Sequence, residues 1–224
     1  MVNYYYLIKK DLMMLFKNRI LLVMLLYPFG ISFISISSVD VSRIGILISL
    51  SILFTVYVGS ITIMSVEEKD KIDIVFKSLP VRQVTLVNSR YITMVLFYLI
   101  ALATVSIIPL TNGVVVKNLD IYLASYGISL FIFIIYVSVI QPLYYRFGYM
   151  KLSHITRVLY MLIILIPFLY IRLRDYAWGQ SIIEVIEKSG MMVVSNRLIA
   201  VLLCTLMIFV SIRLSYRFHK QNAL

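Results

Sequence analysis

Residues 44–73 read IGILISLSILFTVYVGSITIMSV followed by EEKDKID, an apolar run from Ile44 to Val66 that gives way at once to a charged one starting at Glu67. The run 44–66 holds no Lys, Arg, Asp or Glu. At about 1.5 Å of rise per residue, a helix of that length crosses the roughly 30 Å hydrocarbon core of a bilayer. The switch at Glu67 marks where the chain leaves lipid for water.

The same pattern extends in both directions. Apolar spans fall near 20–39, 44–66, 91–110, 121–143, 155–171 and 198–214. The fifth tolerates Arg157 at the interface, and Arg197 and Arg213 flank the sixth, where long cationic side chains snorkel to water. Composition agrees: 62% of residues are hydrophobic and 14% charged, with a mean hydropathy of +0.97. A soluble domain carries about 25% charged residues. The sequence therefore predicts an all-α integral membrane protein, a single transmembrane domain over 1–224 with six spans. The first span follows a polar and amphipathic lead and reads as retained rather than cleaved.

The net charge of +11 is distributed between the spans. Fifteen Lys and Arg fall in the N-terminal lead, the loops after spans two and four, and the C-terminal tail, against six in the remaining loops. That asymmetry places both termini in the cytoplasm and sets the basic side against anionic lipid. No basic polar stretch is interleaved with aromatics for base stacking, which excludes nucleic acid as a partner. The single cysteine, Cys204, sits in an apolar run and reads as a packing thiol. His154 and His219 lie in basic segments and read as solvated interface residues. Tyr144, Tyr145 and Tyr149 fit an inner aromatic belt; Tyr170, Tyr176 and Trp178 fit an outer one.

Two segments on the basic side are amphipathic. In the lead 1–19, Tyr5, Leu12, Leu15 and Phe16 share a helical face with Ile8, whereas Lys9, Lys10, Asp11 and Lys17 are polar. This predicts an interfacial helix that turns at Asn18–Arg19 into the first span. In the loop 67–90, Ile72, Val75, Phe76 and Leu79 recur at helical spacing until Pro80. The apolar face of that helix either packs on the protein's own helices and headgroups or docks a cytoplasmic partner. On span two, Ser51, Thr55 and Gly59 repeat every four residues, a stripe of small residues where another helix packs closely. Pro28 and Pro167 fall inside spans and predict kinks. In the outer segment 172–197, Ser181 reads as an N-cap and Gly190 as a stop, so Ser181, Ile182, Val185 and Ile186 belong to a short helix on or in the outer face.

Several chemistries are missing. The long spans carry no carboxylate or histidine for a coupling ion, which disfavours a secondary transporter. None of the eight glycines opens a G-x-x-x-x-G-K-[ST] loop, so ATP is not hydrolysed on this chain. Glu67–Glu68 is similar to the paired glutamates of intramembrane prenyl-protease-like enzymes, but Ile72 stands where that family has arginine.

The stretch from Glu67 to Tyr91, EEKDKIDIVFKSLPVRQVTLVNSRY, resembles the first cytoplasmic loop of the membrane subunits of type-2 ABC exporters: a Glu-rich start, an apolar helix, a Leu79–Pro80 turn and a lead into span three. With the amphipathic lead and six spans, the resemblance covers nearly the whole chain. The branch it most resembles exports phenol-soluble modulins and antimicrobial peptides. The resemblance implies a homo- or heterodimer of membrane subunits in the bacterial cell membrane, with no cofactor on this chain and ATP and Mg on separate cytoplasmic ATPase subunits. It implies that Glu67, Glu68, Lys69, Ile72, Phe76, Leu79 and Arg82 form a coupling surface against the ATPase. Tyr5, Leu12 and Phe16 would belong to an elbow helix beside it, and Ser181, Ile182, Val185 and Ile186 to an outer gate helix. A non-transporting immunity or scaffold protein, and a secondary transporter, are the other classes the residues leave open.

Overall fold

The computed structural model describes residues 4–17, 19, 22, 24, 26–28, 30, 41–70, 72, 82–111, 119–173 and 197–222. Every described element is an α-helix: α1 (Tyr4–Lys17), α2 (Val41–Lys69), α3 (Gln83–Thr111), α4 (Leu119–Leu173) and α5 (Arg197–Asn222). Four helical stretches among the described residues are long and apolar enough to cross a membrane: Ile48–Lys69, Gln83–Ile107, Ser125–Leu162 and Val201–Gln221. The first expected span, 20–39, is described at six positions only, all helical.

The third of these stretches has 38 residues, which at about 1.5 Å each would extend about 57 Å, nearly two membrane cores. It does not run straight. Gly148 has φ 74° and ψ 174°, and helical backbone continues on both sides of it. That region of backbone space is essentially open to glycine alone. Contacts along α2 show what the break does. Ser49 meets Ser125, Ser60 meets Tyr136 and Glu67 meets Tyr144, so the arm 119–147 runs parallel to α2. Past the break, Glu68 meets Met150 and Tyr57 stacks on Tyr160, so the arm 149–173 runs back antiparallel to it. The expected fourth and fifth spans are thus the two arms of one helix, reversed at a single glycine with no loop between them. Within α4 the backbone leaves helical angles at Gly148.

α3 runs antiparallel to α2 and to the first arm of α4. Its Tyr98 reaches the Ser129 hydroxyl at 3.1 Å, and its Ser106 meets the Tyr126 hydroxyl at 2.7 Å. α5 closes on α3 where the Tyr91 hydroxyl joins Ser211 and Ser215 at 2.6 and 2.9 Å. Tyrosine–serine pairs recur at these seams, where a hydroxyl away from water is stabilised by a partner on the next helix. Tyr144 and Tyr145 belong to this interior set. Both are buried, which corrects their assignment to an aromatic belt.

These directions bring α1, the end of α2, the start of α3, the Gly148 reversal and the end of α5 to one end of the bundle. It is the end where the Lys and Arg residues concentrate.

Candidate functional site at the basic end

α1 ends at Lys17, and the chain turns through Arg19, whose φ of 54° lies in the left-handed region. The face α1 turns to the bundle carries Leu7, Asp11 and Leu15, spaced by one helical turn each and all buried. Leu12 is partly buried beside it. Tyr5 and Phe16, which flank Leu12 on the helix, are 63% and 64% exposed, so the face shared by Tyr5, Leu12 and Phe16 is not the one turned most fully to the bundle. The reason is electrostatic: Asp11 was expected among the polar outward residues, but it has cationic and hydroxyl partners inside.

Those partners come from two other helices. The Thr93 hydroxyl donates to Asp11 Oδ2 at 2.9 Å, and Arg90 Nη1 lies 3.3 Å from the same oxygen. Arg90 Nη2 pairs with Glu67 Oε2. Lys10 Nζ donates to Glu67 Oε1 at 2.7 Å and stands 3.2 Å from Asp11 Oδ1. The Tyr144 hydroxyl donates to Glu67 Oε2 at 3.1 Å. Two carboxylates and two cations from α1, α2 and α3, joined by a tyrosine from α4, form one network. Asp11, Glu67 and Arg90 are each at most 3% exposed. Isolated, each would cost several kcal/mol to take out of water; in the network each finds an opposite charge and further hydrogen bonds.

The adjacent carboxylate does different work. Glu68 Oε2 accepts from the Met150 N–H at 3.1 Å, two residues after the Gly148 break. The first N–H groups of a helix have no intrahelical acceptor, and its N-terminal end is electropositive. Glu68 therefore caps the second arm of α4, while Glu67 holds the last turn of the first arm through Tyr144. The pair that reads as a charged loop start joins both arms of the hairpin to the end of α2.

The remaining site residues are placed as follows. Lys69 and Arg82 are exposed and Ile72 is half-buried. Glu67 is buried, 2% exposed. Phe76, Leu79, Ser181, Ile182, Val185 and Ile186 lie outside the described residues, as do Tyr176 and Trp178. Ser51 and Thr55 are buried. At Gly59 a Cβ would stand 2.7 Å from Met24 Cε and 2.8 Å from the Phe97 ring, so the small-residue stripe is filled from within the same chain. Cys204 is half-buried against the core. His219 packs edge-on against Tyr145 at 5.1 Å rather than standing free in solvent. Among the described residues no three or more His, Cys, Asp or Glu side chains converge as metal ligands would.

A second cluster sits higher on α2. Tyr27 packs on Phe54 at 4.2 Å, Phe54 on Tyr160 at 5.8 Å, and Tyr57 stacks flat on Tyr160 at 4.2 Å. All four rings keep part of their surface uncovered. Sequence reasoning missed this shelf and the Asp11–Arg90 pairing; spacing shows which face of one helix is apolar, but not which helices meet.

Comparison with known proteins bears on what such a bundle does. No curated protein and no solved structure matches the chain. A model of the family described as ABC-2 family transporter protein matches residues 6–220, nearly the whole sequence and every helix described above. The chain belongs to that family, and is a membrane subunit of an ABC transporter.

Proposed function

We propose that this chain is the membrane-spanning half of an exporter for amphipathic peptides or similar amphiphiles, paired with a second membrane subunit and driven by a separate cytoplasmic ATPase. The observation that carries this reading is the clamp between Glu67 and Arg90. These residues stand at the two ends of the segment that would meet the ATPase, and both are tied to α1 through Lys10 and Asp11. A push on that segment is passed to α1, α2, α3 and both arms of α4 as one body, the kind of rigid-body transition that opens a path between subunits. The shelf of Tyr27, Phe54, Tyr57 and Tyr160 joins spans one, two and five, and supports a path for amphiphiles. Aromatic rings take apolar surface, and tyrosine hydroxyls keep a polar edge beside it.

The test is affinity purification of the tagged chain from native membranes with mass spectrometry of its companions. A P-loop ATPase that accompanies the wild type and is lost in F76D/L79D, with the variant still in the membrane, supports the reading. A preparation free of any ATPase overturns it in favour of a scaffold, and an ATPase that survives the double substitution moves the contact away from Phe76 and Leu79.

A further inference from the structure

A groove of about 590 Å³ opens between the start of α3 and the end of α5. Its walls are apolar, formed by Val84 and Val87 on one side and by Phe209, Val210 and Leu214 on the other. Arg213 and Arg217 line it one helical turn apart, on one face of α5. Asn88 and Tyr216 add hydrogen-bonding groups at the same level.

The two arginines differ from the cations of the buried network. Lys10 and Arg90 are held by Asp11 and Glu67, whereas Arg213 and Arg217 are exposed and have no carboxylate partner among the described residues. The Arg213 guanidinium lies 4.7 Å from the centre of the Phe209 ring. A guanidinium held over an aromatic ring still has N–H groups to offer an anion. Both arginines fall within the last three turns of the apolar stretch Val201–Gln221, which is headgroup depth for a spanning helix.

We propose that this groove holds one anionic phospholipid, with its phosphodiester between Arg213 and Arg217 and an acyl chain along Phe209, Val210 and Val84. The charge selects the headgroup. A phosphodiester without a balancing cation, as in phosphatidylglycerol, satisfies two guanidinium groups that have no carboxylate partner among the described residues, whereas a choline headgroup brings its own positive charge to them. Basic pockets between membrane helices on the cytoplasmic side are the recognised setting for such lipids. A bound lipid here joins α3 to α5, the helices that otherwise meet at this end through Tyr91, Ser211 and Ser215.

The test uses the full chain in nanodiscs of equal phosphatidylglycerol and phosphatidylcholine, extracted gently and weighed by native mass spectrometry. Wild type should retain about one phosphatidylglycerol per chain. R213Q/R217Q should reduce that retention at least tenfold, while K17Q/K151Q, which removes the same charge from exposed sites outside the groove, should leave it unchanged. A photoreactive phosphatidylglycerol should label the peptide 209–217. Equal retention of phosphatidylcholine, equal loss in both double variants, full retention in R213Q/R217Q, or labelling confined to other helices would each overturn the site. So would a cysteine at Val210, in a Cys204→Ser background, that cross-links quantitatively to its counterpart, because a second copy of the chain would then fill the groove.

Discussion

The carboxylate of Glu67, at the end of α2, and the guanidinium of Arg90, two turns into α3, form an ion pair inside the bundle. Their side chains are each 3% exposed, so water screens the pair very little. A buried pair of this kind is a weak net stabiliser, but the loss of one partner strands the other. Glu67→Leu or Arg90→Met alone should therefore cost about 3–5 kcal/mol. The two substitutions together should cost less than the sum of the singles. Unfolding in mixed micelles, arranged as a double-mutant cycle, measures the difference; additivity within about 0.5 kcal/mol would mean that the two groups do not interact.

The reversal at Gly148 depends on glycine and on Glu68. Any side chain at φ 74° and ψ 174° strains the backbone, so Gly148→Ala should lower stability by about 1–3 kcal/mol. Space is not the cause, since a Cβ there would meet nothing closer than Glu68 Oε2 at 3.8 Å. Glu68→Ala should cost about 0.5–2 kcal/mol, the usual worth of a helix cap, because the Met150 N–H loses its acceptor. Thermal denaturation in detergent reads both. An alanine at 148 that melts with the wild type would mean that the hairpin turns elsewhere.

Much of this architecture was legible in the residues. Lipid imposes runs of uncharged side chains, so Ile44–Val66 and Tyr91–Leu110 announce themselves, and the count of Lys and Arg groups the segments that the structure brings to one end. What composition conceals is pairing. Asp11 reads as one more polar residue on an interfacial helix until Arg90 and Thr93 are placed opposite it, and they lie far away in sequence. Tyr144 and Tyr145 look like belt residues because tyrosine suits an interface, yet here they hold Glu67 and pack on His219. The hairpin was obscured for a related reason: a single glycine amid helix-forming neighbours reads as a small residue in a loop, and only its backbone angles mark the turn.

Gly59 offers a test of packing. A methyl group there would meet the Phe97 ring at 2.8 Å and the flexible end of Met24 at 2.7 Å. Met24 can swing aside, but the ring is held between helices, so Gly59→Ala should destabilise by about 1–3 kcal/mol, as overpacked cores do. Phe97→Leu should return part of that loss when combined with Gly59→Ala, although it is destabilising alone. Denaturation of the three variants checks the sign of the coupling. If Phe97→Leu worsens Gly59→Ala by its full separate cost, the two side chains are not in contact.

Asp11 decides whether α1 is an anchor or a moving part. Asp11→Asn keeps an oxygen for the Thr93 hydroxyl but removes the charge facing Arg90 and Lys10. Hydrogen bonds to charged groups are worth about 1.5–3 kcal/mol, and each 1.4 kcal/mol is a factor of ten in the population of the undocked helix. A cysteine placed at the buried Leu7, in a Cys204→Ser background, should therefore react with a maleimide at least tenfold faster in Asp11→Asn than in its parent. Unchanged reactivity would mean that Leu7 and Leu15 alone hold α1 in place. With faster labelling established, ATP-driven uptake of an amphipathic peptide into inverted vesicles separates the two roles. If α1 carries motion from the 67–90 segment, uptake should fall while ATPase binding persists. Uptake at the wild-type rate would confine the network to holding the bundle together.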